Sequence, residues 1–370
     1  MIVQNIKLTL VLISSFISSV GLCAPSTYSQ MKSLLDKSSQ KDVVGLVSEV
    51  VKVSAPSRMI GKPGHQKARD WIAAKVGSFD PKGSGKLIQE KFLPNIEAAK
   101  SFYQKDFDQQ LEGKVPTTHP EYQKWLKFTQ HMKLTADSLK DTSAVNLIWE
   151  KTGINTKKWL VITAHYDTIS HNPQTLLIDD KANMPGANYN GSGVAVLLSL
   201  IKVLAQTDLN YSVQVVFLDW QGVGFLGSLQ HAQALKRSGR EVMGVMNLEM
   251  LGQDTSYFDK TKKTGNMSVY YRSEPQEESF VKQLTGHGKM ITEKVSFEMK
   301  PKGFENSDNI RFWEEGFLAA TFTQNWEEDF NPKFYQTPQD TPETLNHDTL
   351  YHGYRYLGGA ALGMLLDITK

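Results

Sequence analysis

The stretch PGANYNGSGVAVLLSLIKVL, residues 185–204, decides how this chain is read. A glycine-rich turn runs directly into an apolar segment of helical length, so one loop feeds the start of a buried helix. Around it lie short apolar runs rich in β-branched residues: AVNLIWE from 144, KWLVITA from 158, SVQVVFLDW from 212 and EVMGVMNLEM from 241. NMSVYYR and FLAATFT follow later, and the segments GFLGSLQHAQALKR and TLYHGYRYLGGAALGMLLD carry helical spacing. Alternating strands and helices predict an α/β fold of three layers, α/β/α, with a mixed, mostly parallel central sheet covered on both faces. In such sheets ligands sit beyond the carboxyl ends of strands, so the strand ends are where chemistry is expected.

With 370 residues, 40% hydrophobic and 22% charged, the chain has the composition of a globule with a large core. A net charge of +2 with scattered positives argues against nucleic acid or an anionic membrane as partner. Lys7 followed by LTLVLISSFISSVGL and small residues reads as a signal peptide over residues 1–24, cut near Cys23 or Ala24. The rival reading, a lipoprotein acylated on Cys23, is disfavoured by Leu22 before it. The expected product is exported, periplasmic or secreted, with no transmembrane segment in the mature chain. Cys23 is the sole cysteine, so cleavage after it excludes disulfides and cysteine-ligated zinc. Residues 25–370 read as one domain, with a helical insertion at about 95–143 that would serve as a lid or a protein-partner surface.

Four strand ends carry polar residues. LVITAHYDT ends in His165 with Asp167 two residues on, the arrangement that orients a metal-ligating imidazole. FLDWQG ends in Asp219 and turns through Trp220, Gln221 and Gly222; NLEMLG carries Glu249; FYQTPQDT carries Gln336 and Asp340. From the residues alone, His165 and Glu249 are metal-capable, and no set of three or four ligands emerges. HExxH and GxSxG are absent.

These stretches, in this order, resemble the two-zinc aminopeptidase family of clan MH, to which glutaminyl cyclases are related. PGANYNGSG is similar to the family's PGANDDGSG turn, VVFLDWQGVGFLGS to FFDGEEQGLLGS, NLEMLG to NLDMxG, SDNIRFWEEGF to SDHxxFxxxGxP and FYQTPQDT to YHTPxDT. SRMIGKPGHQKARDWI and NLIWEKTG through KWLVITAHYDT resemble its N-terminal helix entry and first core strands. The resemblance implies the fold above and five zinc ligands with a glutamate base. His165, supported by Asp167, falls on the first histidine, and Glu249 on a ligand aspartate. The bridging aspartate falls on Tyr189, its acidic neighbour on Asn190, the general base on Gln221, the ligand glutamate on Gly222 and the last histidine on Gln336.

A carboxamide does not take a proton from water at neutral pH, and glycine offers no side chain. The expectation is therefore a catalytically inactive pseudopeptidase with no bound cofactor. It would hold a peptide or small ligand in a cleft lined by Tyr189, Asn190, Trp220, Gln221 and Gln336. The alternative is a one-zinc aminopeptidase or related amide hydrolase, its zinc on His165 and Glu249 and completed by Tyr189 or Asn190.

Overall fold

The structure, a computed structural model, describes residues 24–172, 174–254, 265–328 and 330–368. The leader read over residues 1–24 lies outside them, save for Ala24, where the first helix begins. In chain order, α1 (Ala24–Leu35), α2 (Gln40–Val53) and α3 (Pro63–Phe79) lead to β1 (Lys86–Phe92). A helical pair, α4 (Ile96–Gln110) and α5 (Pro120–Ser138), precedes β2 (Ala144–Lys151) and β3 (Asn155–His165). Next come α6 (Ser192–Leu204), β4 (Tyr211–Leu218), α7 (Leu226–Ser238), β5 (Glu241–Glu249), β6 (Gly265–Tyr270), α8 (Pro275–Ile291), β7 (Val295–Lys300), α9 (Asn309–Glu314), β8 (Ala319–Gln324) and α10 (His347–Leu365).

Local chemistry starts these elements. Ser39 and Asp42 form a reciprocal capping box at the head of α2, whose Val43, Leu46, Val47 and Val50 then fall on one buried stripe. Pro63 opens α3 at the position where its missing N–H costs nothing. Almost every side chain of α6 is buried, because it lies inside the layer and packs on α2, α3 and α10 as well as on the sheet.

The eight strands lie in the order β1-β2-β4-β3-β5-β8-β6-β7. β3 is parallel to β4 and β5, β5 to β8, and β6 to β7. The pairs β1–β2, β2–β4 and β6–β8 are antiparallel. Strand alternation sends Leu160, Ile162, Val215 and Phe217 to the face covered by α2, α6 and α10. Val161, Val216 and Leu218 point to the opposite face, beneath Ala232 and Leu235 of α7 and Phe312 of α9. Both faces are covered, as the three-layer reading requires.

The apolar-run criterion misses β1 and β7. Both are edge strands with alternating, partly exposed side chains, so neither shows the continuous apolar run of a central strand. Register places His165 opposite Leu218, and Glu249 opposite Thr323, so the carboxyl ends of β3, β4, β5 and β8 share one edge of the sheet.

Candidate functional site

The turn at 185–191 is fixed over that edge by three side chains. Arg58, fully buried, donates from Nε to Tyr166 O at 2.7 Å, from Nη1 to Pro185 O at 2.7 Å, and from Nη2 to Gly186 O at 2.7 Å and Tyr189 O at 3.3 Å. Gly186 has φ +62°, and a Cβ there would meet Thr168 Cγ2 at 2.5 Å, so the close approach requires glycine. Asp340 accepts from the N–H groups of Asn188 and Tyr189 at 2.8 and 2.9 Å. Asn190 completes the anchor: its Oδ1 accepts from Gly193 and Met250 N–H at 3.1 and 3.0 Å, and its Nδ2 donates to Leu248 O at 2.8 Å.

The strand-end pair meets directly. His165 Nε2 lies 3.0 Å from Glu249 Oε1, and both side chains are buried. Burial alone disfavours the cation, but Glu249 and then Asp167 outweigh it and push His165 up to about 10. The surroundings of the His165 imidazole thus favour its protonated form. Glu249 Oε2 accepts from Ser307 Oγ at 2.9 Å, and Asn247 donates to the same Ser307 oxygen at 2.8 Å.

Asp167 supports His165 differently from the sequence expectation. His165 Nδ1 donates to the Asp167 carbonyl at 3.0 Å, whereas the carboxylate stands 3.7 Å away. That carboxylate instead accepts from Gln221 and Gly222 N–H at 3.0 and 2.9 Å, holding the turn after β4. Asp219, just before the turn, accepts from Val145 and Trp220 N–H and from His65 at 2.7 Å, a structural role.

Tyr189 turns its ring onto His165, with centroids 4.8 Å apart, and its hydroxyl donates to Gln221 Oε1. Gln336 accepts from His171 Nδ1 at 2.5 Å. Burial pushes His171 down to about 4, so its ring is neutral, and its Nε2 is a buried acceptor without a partner among the described residues. At Gly222 a Cβ would stand 3.0 Å from Ile169 Cβ and 3.3 Å from Asp167 Oδ2, so a side chain there requires Ile169 to give by a few tenths of an ångström.

Two residues expected to line the cleft do not. Asn190 is consumed by its backbone contacts inside the fold. Trp220 adopts φ +58°, which turns its ring inward to pack with Ile60, Ala99 and Val223, fully buried. Tyr189, Gln221, Gly222 and Gln336 do line a cavity of about 660 Å³, whose remaining wall comes from α4 and α5 together with Ile169, His171, Phe225, Glu305 and Tyr335. Tyr103 of α4 ties that wall to the floor by donating to Gly222 O at 3.1 Å. Sequence reasoning missed Arg58, Tyr103, His171 and Ser307; the one signal was an arginine inside the otherwise apolar SRMIG turn.

Asp308 lies beside this network and supplies a pH test. Its carboxyl is pushed up to about 7 by burial, against the opposing pull of His165 and the Ser228 hydroxyl that donates to Oδ1 at 2.6 Å. The folded state therefore holds a proton that the unfolded chain, near the ordinary 3.8, releases. This contribution to stability is full below pH 4 and is lost as pH rises to 7, at up to about 1.4 kcal/mol per pH unit. Asp308→Asn is expected to remove that slope in urea titrations across the window; an unchanged slope refutes it.

A doubly covered sheet with its candidate residues on the parallel carboxyl ends, under a glycine turn leading into a buried helix, defines the architecture of the zinc aminopeptidase class. The chain belongs to peptidase family M28, whose family model matches residues 146–358. It is 26% identical over 202 residues to aminopeptidase YwaD of Bacillus subtilis, matching 51% of this chain and 37% of that protein. By structure it is similar to the Legionella pneumophila LapA aminopeptidase, with TM-score 0.65, 16% identity, and 92% and 76% of the two chains covered. It is also similar to Porphyromonas gingivalis glutaminyl cyclase, with TM-score 0.61, 15% identity, and 87% and 97% covered. At these identities the structural matches establish the fold.

The residues present do not fit the family's zinc pair. Among the described residues no three His, Cys, Asp or Glu side chains converge as a metal site. Gly222, which the sequence resemblance sets at the position of a ligand glutamate, offers no donor and is crowded by Ile169, and Tyr189, set at that of the bridging aspartate, has a phenol held above its ordinary range chiefly by burial.

Proposed function

We propose that this chain is an exported protein of peptidase fold that has lost hydrolysis and acts by binding a peptide or small ligand in the former catalytic cleft. One observation carries the reading: among the described residues no third His, Cys, Asp or Glu side chain joins the two retained ligand-type side chains, His165 and Glu249, in a group that could hold a metal. The neighbouring positions hold a tyrosine, a glycine and two carboxamides. The cavity above them is walled by aromatic side chains, the usual lining of a small-ligand site. The outer surface of the α4–α5 hairpin is the place for a protein partner.

The test is direct. Purified chain should carry far less than one zinc per molecule by elemental analysis and leave aminoacyl nitroanilides at the uncatalysed rate, with or without added zinc. Loss of the general base alone accounts for about 10² to 10⁴ in rate. Chelator-sensitive turnover that disappears in His165→Ala would overturn the proposal in favour of a one-zinc hydrolase.

A further inference from the structure

The hairpin gives the cleft more length than its floor uses, and this inference rests on the binding role just proposed. α4 and α5 run antiparallel, with Tyr103 edge-on to Phe128 at 6.1 Å between centroids and Phe107 edge-on to Tyr122 at 5.1 Å. The Tyr103 end sits on the floor: Phe102 stands edge-on to Phe225 at 5.0 Å, and the Tyr103 hydroxyl donates to Gly222 O. From there the lining continues outward through Phe107 to Leu111 on α4, and from Met132 through Phe128 to Trp125 on α5. Tyr103, Phe107 and Leu111 fall on one helical stripe, and at roughly 1.5 Å per residue the path between its ends is about 12 Å. No aliphatic side chain of a peptide spans that distance.

The walls along this path are apolar, and the charges around them have one sign. Among the described residues lining the cavity there is no lysine or arginine, whereas Asp106, Glu121 and Glu305 are acidic. Burial, and then the proximity of Glu305, push the Asp106 carboxyl above its ordinary value, so an anionic ligand would meet carboxylates with no counter-charge. The floor asks for a neutral acceptor. Gln221 Oε1 accepts from Tyr189 and Gln336 Oε1 from His171, which leaves their amide N–H groups to donate. We propose that the cavity binds a linear alkyl chain of about ten carbons with a neutral oxygen head, the head on Gln221 and Gln336 and the chain laid between α4 and α5 toward Leu111. An extended chain advances about 1.3 Å per carbon, so that length fills the path from floor to tip.

Equilibrium dialysis of the intact chain at neutral pH against the 1-alkanols from hexanol to dodecanol, with decanoate as the charged comparison, tests this. Affinity should rise about fourfold with each added methylene and level off near decanol, where the far end of the path is reached. Decanoate should bind at least about tenfold more weakly than decanol. Leu111 and Trp125 pack together at the tip, so substitutions there should move the plateau in opposite directions. Leu111→Trp should bring it to shorter alcohols without changing hexanol binding, and Trp125→Ala should carry it to longer ones. Circular dichroism shows which variants are folded, and a shift in either folded variant supports the proposal. No binding of any alcohol, affinity independent of chain length, a rise without a plateau, a plateau unmoved in the folded variants, or decanoate as tight as decanol overturns it. Hydrolysis of aminoacyl nitroanilides would sink the non-catalytic reading and leave the alcohol series untouched, so the two failures are distinguishable.

Discussion

Arg58→Ala is expected to lower the unfolding free energy by about 3–5 kcal/mol, the usual cost of leaving buried partners of a charge uncompensated. The guanidinium serves the carbonyls of Tyr166, Pro185, Gly186 and Tyr189 at once, all in the layer beneath the site. Arg58 is fully buried, as are Tyr166, Gly186 and Tyr189, while Pro185 is half-buried. Asp340 is also in its field, and a carboxyl already pushed up to about 6 by burial would lose an opposing charge. Against a typical total stability of 5–15 kcal/mol, the loss takes a large share of the fold's margin. Arg58→Lys should recover less than half, since a point charge does not reach four acceptors as a planar fork does. Urea midpoints of both variants decide it; a cost under about 1 kcal/mol for the alanine would show that the turn is held by Asp340 and Asn190 without Arg58.

The second large effect is a gain. Tyr189→Asp, Gln221→Glu, Gly222→Glu and Gln336→His together should raise zinc affinity by about 10³-fold or more, since they supply the missing donors around His165 and Glu249. The Gly222 change is the bottleneck. Its Cβ must push Ile169 back by a few tenths of an ångström and sits 3.3 Å from an Asp167 oxygen, so the single substitution should cost about 1–3 kcal/mol. Competitive titration with a zinc indicator measures the affinity, and circular dichroism shows that the variant is folded. A folded four-site variant that binds zinc no better than the parent would mean that these four positions do not surround the metal locus.

The central strands were legible because burial on both faces leaves continuous apolar runs, as in KWLVITA and SVQVVFLDW. The edge strands were not, because half of each faces water. In the site, parallel register carries His165 and Glu249 to the same edge, so strand ends alone bring them together. Backbone direction after the strands was not legible. A left-handed turn swings Trp220 into the core, and the Asp167 carboxylate reaches amides 54 and 55 residues away in preference to its near neighbour. Arg58 and His171 escaped for the same reason: their partners lie more than a hundred residues distant, where no periodicity reports them.

The contrast between α6 and the α4–α5 hairpin has a consequence for how such a cleft diversifies. A helix enclosed on all sides leaves the tip at 185–191 no room to drift, so the three floor side chains Tyr189, Gln221 and Gln336 form a fixed datum. The roof is a detour between an edge strand and its neighbour, held to the body by apolar packing of Ala99, Tyr103, Met132 and Ala136 and by the Tyr103 hydroxyl. Exchange of that detour would furnish a new chamber above an old floor, with the sheet none the wiser.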